Sequence, residues 1–143
     1  MAVLTFLLGV FILSQAEAVS LPPGQVAAQN FYSHPAIEGG TGVVYGTLVN
    51  SSKNPVSVVN VTSDITRTVE IHNTSHNHHG HMKMHALSQV SVKAGEELKF
   101  TPGALHMMLI GLKKPLEAGN RFSLTLYLSD GQKMDVVVNV VPR

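Results

Sequence analysis

The stretch HNTSHNHHGHMKMHAL, residues 72–87, holds six of the chain's eight histidines and two of its six methionines. A second stretch, LHMMLIGL at 105–112, adds His106, Met107 and Met108. The chain has no cysteine. Imidazole and thioether together make a soft donor set: thioethers favour Cu(I), and imidazole suits Cu and Zn. Without a thiolate, a blue-copper electron-transfer centre, which needs His₂Cys, is excluded. The set is best matched to Cu(I) held without rapid redox cycling.

Spacing decides which donors can converge. In a strand, residues two apart share a face and lie about 7 Å apart. Met82 and Met84 therefore share one face with Lys83 on the other, and His106 shares a face with Met108. In TRTVEIH (66–72), Val69 and Ile71 point one way and Glu70 and His72 the other, so His72 closes a strand on its polar side. Met107 reads as core filler, the usual role of a buried methionine. His34 is assigned nothing. The histidines His76, His78, His79, His81 and His85 form a tract of metal-binding composition. They define a candidate secondary site, harder than the first and suited to Cu(II) or Zn, with Met82 beside it. Neutral imidazole is the ligand form, so uptake there weakens as pH falls through about 6.5.

The elements that must position these residues are short β-type runs separated by turn chemistry. They include TGVVYGTLVN (41–50), VSVVNVTS (56–63), HMKMHAL (81–87) and the pair of runs in RFSLTLYLSDGQKMDVVVNVV (121–141). In the last, Phe122, Leu124, Leu126 and Leu128 alternate with polar residues, and Asp130-Gly131 marks a hairpin. Gln25 to Tyr32 is a weaker candidate. No long apolar stripe of helical period occurs, so the expectation is an all-β sandwich or barrel.

Composition bounds the rest. A chain of 143 residues with 44% hydrophobic and 13% charged residues suits one packed domain. A formal charge of +1 gives no basic footprint for nucleic acid or an anionic membrane. There is no P-loop, no dinucleotide fingerprint, no nucleophile-elbow motif and no HExxH, so an enzyme is not indicated. At the start, Ala2–Leu13 is an almost unbroken apolar run, shorter than the about 20 residues a spanning helix needs. Ala16-Glu17-Ala18 follows as a small-x-small pattern. Residues 1–18 read as a secretory signal peptide cleaved after Ala18, leaving a domain at 19–143 in the periplasm or outside the cell with no stable membrane insertion. Loss of Glu17, the segment's one charged side chain, takes the net charge from +1 to +2. The sequons at Asn50, Asn60 and Asn73 read as polar strand-end residues.

Met84 is followed by 21 residues and then by His106-Met107-Met108. With VEIH before the histidine-rich loop and VKAGEELKFTPGALHMMLIGLKKPLEAGNRFSLTLYLSDG after it, the chain resembles the periplasmic copper chaperones of the PCu(A)C type from about Thr41 to Val141. The motif of that family is a His, ten residues, a Met, twenty-one residues and a His-x-Met. The resemblance implies a cupredoxin-like β-sandwich or Greek-key barrel of about 7–9 short strands. It also implies Cu(I) ligation by His72, Met84, His106 and Met108, and delivery of copper to partner metallochaperones or to cytochrome oxidase assembly. One departure stands out: 11 residues, not ten, separate His72 from Met84. A bulge in NTSHNHHGH would absorb the extra residue, and Met82 is the fallback ligand. A Zn or Cu(II) scavenger working through the histidine loop is the competing function. Its mark is Zn binding that survives replacement of Met84 and Met108.

Overall fold

The computed structural model describes residues 25–143, and the signal-peptide expectation for residues 1–18 lies outside them. Ten strands follow in chain order: β1 (Val26–Ser33), β2 (Thr41–Asn50), β3 (Val56–Thr62), β4 (Thr66–His76), β5 (Met82–Leu87), β6 (Val90–Val92), β7 (Glu97–Phe100), β8 (Leu105–Leu112), β9 (Arg121–Leu128) and β10 (Lys133–Val140). There is no helix among the described residues, and so none able to cross a membrane. The all-β expectation holds. The count exceeds the seven to nine expected because VSVKAGEELKF forms two short strands, β6 and β7, around the Lys93–Glu96 turn.

The strands pair in the order β5-β4-β8-β2-β1-β10-β9-β3-β6, with β7 also on β2. Strands β1 and β10 run parallel, and every other pair is antiparallel. The period-2 pattern fixes which face is inside. Leu124 and Leu126 of β9 are fully buried, as are Val44 and Leu48 of β2 and Met107 and Leu109 of β8. They meet in one core shared with Phe31, Phe100 and Val138.

Two local features shape the β1–β2 pair. The register slips by one residue between Gln29 and Tyr32, with Asn30 at φ 53°. That bulge turns Phe31 inward over Gly46. A Cβ on Gly46 would lie 2.5 Å from the Phe31 ring, so only glycine fits beneath it. Asn50 is fully buried at the end of β2. Its amide donates to the carbonyls of Asn54 and Val92, and its Oδ1 accepts from the Ser52 N–H. It therefore ends β2 as expected and closes the β2–β3 turn from inside, whereas Asn60 and Asn73 lie within β3 and β4 and not at strand ends. A buried amide needs such partners, since an unpaired one costs about 1–3 kcal/mol.

Candidate metal site

Strand β2 carries two partners in succession along one edge: β7 along Gly46–Val49 and β8 along Thr41–Val44. Between them the chain turns through Thr101-Pro102-Gly103-Ala104. The Ala104 N–H donates to the Thr101 carbonyl, and Gly103 has φ 78°. Proline followed by a left-handed glycine is the chemistry of a type II turn. This turn launches β8 and sets His106 two residues beyond it.

Strand β8 then pairs with β4 in unbroken register from Asn73↔Leu105 through Val69↔Leu109. Residues directly opposite share a face. The pairs Ile71↔Met107 and Val69↔Leu109 face the core, and His72↔His106 and Glu70↔Met108 face outward. On the other side of β4, His72 lies opposite Ala86 and Thr74 opposite Met84. Met84 therefore stands on the same outer face as His72, one step along the neighbouring strand. The four residues His72, Met84, His106 and Met108 thus come to one face of three adjacent strands, with His72 on the middle strand. The rings of His72 and His106 lie 5.8 Å apart between centroids, tilted by 45°.

One sequence expectation needs correction here. His72 does not end its strand: β4 continues to His76. The extra residue before Met84 leaves the ladder intact, because all six pairs from Ile71↔Leu87 to His76↔Met82 keep one register, so a bulge in NTSHNHHGH is confined to the turn at 77–81. Backbone hydrogen bonding would otherwise be broken twice, and a turn accommodates a residue at far lower cost than a ladder.

Hydrogen bonds assign a tautomer to each ring. His106 Nδ1–H donates to the Ala104 carbonyl at 2.8 Å, which leaves Nε2 with its lone pair. The same carbonyl accepts from the Thr74 N–H, tying the turn to β4. For His72 the pattern is reversed. Nε2–H donates to Glu70 Oε2 at 2.7 Å, and Nδ1 is buried with no hydrogen-bond partner. An orphaned buried ring nitrogen is costly unless something else occupies its lone pair. Histidines that ligate metals characteristically donate their second N–H to a carboxylate or backbone carbonyl. Both rings here do so, and the donor set of two imidazole nitrogens and two thioethers fits a soft monovalent ion.

Glu70 and the Ala104 carbonyl escaped the sequence reading as parts of the site. Glu70 had a signal, standing two residues before His72 on the same face. The Ala104 carbonyl had none. Farther along β2, Tyr45 lies on the same outer face as Val43, the partner of Met108. Burial, and then the Tyr32 phenol, raise its pKa above the ordinary tyrosine value, with Arg143 acting in the opposite sense. It therefore contributes no phenolate at neutral pH.

Removing the Glu70 carboxylate tests the tautomer assignment. In Glu70→Leu, Cu(I) affinity is expected to fall about 10- to 100-fold, the usual cost of losing an outer partner of a ligand. Glu70→Gln should restore most of it, because the amide oxygen can still accept from Nε2–H. Chelator competition reads the affinity and ¹⁵N shifts of the imidazole read the tautomer. A Glu70→Leu protein with unchanged affinity and tautomer would show that the carboxylate orients nothing.

The histidine tract is placed differently. His76 ends β4 opposite Met82, and His78, His79 and His81 occupy the turn. His85 lies opposite Asn73, on the face away from His72, with Nε2 3.3 Å from the Ser75 hydroxyl. Among the described residues, no three His, Asp or Glu side chains come together as a group able to hold a metal. The set of His72, Met84, His106 and Met108 is of another kind, with half its donors sulfur.

Comparison with known proteins gives the chain its relatives. The model of the LpqE-like lipoprotein family matches residues 15–140. A Leifsonia xyli subsp. xyli protein named as a lipoprotein is 35% identical over 105 residues, covering 73% of this chain and 63% of that protein. A Rickettsia prowazekii protein is 34% identical over 98 residues, covering 68% of this chain and 54% of that one. The chain thus spans less than two thirds of the length of either. Among solved structures, the copper-bound PCuAC domain from PmoF2 matches with TM-score 0.70 at 18% identity, covering 86% of this chain and 97% of that domain. Cu(I)-DR1885 from Deinococcus radiodurans matches with TM-score 0.60 at 27% identity, covering 88% and 83%. The fold is therefore the cupredoxin-like β-barrel of PCuAC domains.

Proposed function

Because the chain belongs to the LpqE-like family, we propose that it is an exported copper carrier that holds Cu(I) between His72, Met84, His106 and Met108 and hands it to a protein partner. The observation that carries this reading is the in-register His72↔His106 pair, in which each ring spends one nitrogen on the protein and keeps the other free. The likeness to a copper-bound PCuAC domain and to Cu(I)-DR1885 supports it. So does the lipoprotein name of a relative, which suits a chain working outside the cytosol.

The burial gradient suits a carrier rather than a catalyst. His106 is only 6% exposed, whereas Met84 is 55% exposed. A partner thiolate or thioether approaching from solvent meets Met84 first and displaces it. The two imidazoles hold the ion while the partner adds its donors, so copper moves by exchange of one ligand at a time and is never released free. Copper-accepting proteins of the same compartment are the expected partners, with the copper site of cytochrome oxidase as the acceptor to try first.

Anaerobic Cu(I) titration against a competing chelator, followed by mixing with an apo acceptor domain, tests the function. The expected result is at least one tightly held Cu(I) per chain that passes to the acceptor faster than the acceptor loads from the chelator. A chain that retains no Cu(I) overturns the reading. Zn uptake that persists without Met84 and Met108 but is lost on replacing His76, His78, His79, His81 and His85 would instead identify a scavenger.

A further inference from the structure

The hairpin arm carries donors that the primary set does not use. Strand β8 accompanies β4 only as far as Asn73↔Leu105, while β4 and β5 stay paired through Thr74↔Met84, Ser75↔Lys83 and His76↔Met82. The last three pairs therefore form a two-stranded ribbon projecting past the edge of β8. A two-stranded ribbon is held in register chiefly by its turn, and this turn is well tied. The Asn77 N–H donates to the His81 carbonyl, and the Gly80 N–H donates to the Asn77 carbonyl. Asn77 Oδ1 accepts from the N–H groups of His79 and His81.

Alternation puts His76, Met82 and Met84 on one face of this ribbon, the face of His72. His76 and Met82 are direct cross-strand partners, about 4.5–5.5 Å apart at Cα, and Met84 is the next same-face residue, about 7 Å along β5. All three side chains are long enough to reach one ion from those positions. Met82 is 68% exposed, so the thioether is not spent on packing. His78, His79 and His81 lie in the turn beyond the last cross-strand pair, and His85 points to the opposite face, so the alternation groups none of them with His76, Met82 and Met84.

We propose that His76, Met82 and Met84 form a second cuprous station at the end of the arm, an outer site that receives Cu(I) and passes it to the His72–His106 pair. The proposal rests on the carrier reading above and extends it to the direction of entry. One imidazole and two thioethers supply the three soft donors that Cu(I) accepts. Met84 is common to both stations, since it stands between His76–Met82 and His72–Ala86 on the ribbon. Copper can therefore travel inward by exchanging His76 and Met82 for His72 and His106 while Met84 stays bound. No electron changes hands in this step.

The test uses the full chain with methyl-¹³C-labelled methionine, titrated anaerobically with Ag(I) as a redox-inert stand-in and then with Cu(I). The first equivalent is expected to shift the methyls of Met84 and Met108, and the second, held by His76 and Met82 while Met84 serves the inner ion, that of Met82. In the His76→Ala, Met82→Leu double variant the second equivalent should be lost. Affinity for the first should stay within about twofold, as for sites that do not share the altered groups. Loading from a chelated Cu(I) donor should slow by roughly tenfold, because the local reservoir beside the inner site is gone. An unmoved Met82 methyl at two equivalents, or a double variant that still takes both equivalents at the original rate, overturns the proposal. The Met108 methyl separates the two readings: if it responds while Met82 does not, the carrier stands and the outer station falls. If Met82 responds and Met108 does not, the inner site is the one misassigned.

Discussion

Replacing Met84 and Met108 together with leucine is expected to lower Cu(I) affinity by at least about 1,000-fold, given that losing a mere outer partner of a ligand costs roughly 10- to 100-fold. The two remaining imidazoles would still bind metal, but without the sulfur donors that favour Cu(I) over Zn. Selectivity should therefore fall along with affinity. Stability should hardly change. Met84 is exposed, Met108 lies half-buried on the outer face, and Met-to-Leu exchanges of similar volume usually cost less than about 1.5 kcal/mol. Chelator competition and a thermal unfolding curve on the same sample check both halves. A double variant that binds Cu(I) as tightly as the parent would remove the thioethers from the site.

The neighbouring methionine should behave in the opposite way. Met107 is 0% exposed and lies opposite Ile71 in the core. Met107→Ala deletes a buried side chain from a packed interior, at an expected cost of about 2–5 kcal/mol. Yet it should leave Cu(I) stoichiometry unchanged at temperatures where the protein stays folded. Met108→Ala, at a half-buried position on the outer face, should cost less stability than Met107→Ala while weakening copper binding. Urea unfolding midpoints give the first number and copper titration the second. If Met107→Ala proved neutral for stability, the inward and outward faces of β8 would have to be exchanged. His106 would then leave the site with Met108.

The contrast between these adjacent methionines shows what was legible in the sequence. Strict alternation in LHMMLIGL and VEIH already separated Met107 from Met108 and Ile71 from His72, because a strand's side-chain period is two whatever its neighbours are. The bounds of β2 and β8 could likewise be read from apolar runs closed by turn residues. What stayed hidden depends on who pairs with whom. His72 looked like a strand end because the polar run NTSHN carries no core-facing residue. That run remains a strand because β5 satisfies its backbone, a long-range fact with no local signal. The extra residue before Met84 pointed to a bulged loop, and only the pairing shows that ladder continuity confines it to the turn. Asn50 resembled any surface asparagine until β6 supplied the Val92 carbonyl that its amide needs. The tautomers of His72 and His106 were out of reach for the same reason, since they are set by a carboxylate and a carbonyl whose positions come from the folded register.

The parallel pairing of β1 with β10 sets when this barrel can close. Tyr32 meets Asn139 and Ser33 meets Val140, partners from opposite ends of the described chain. Contacts of such wide sequence separation form late and slowly, because the whole intervening loop must be ordered before they are rewarded. A nascent chain therefore lacks its closing strand until β10 itself has been made. It remains pliable over that interval, a state compatible with being threaded through a narrow translocation channel before the barrel locks.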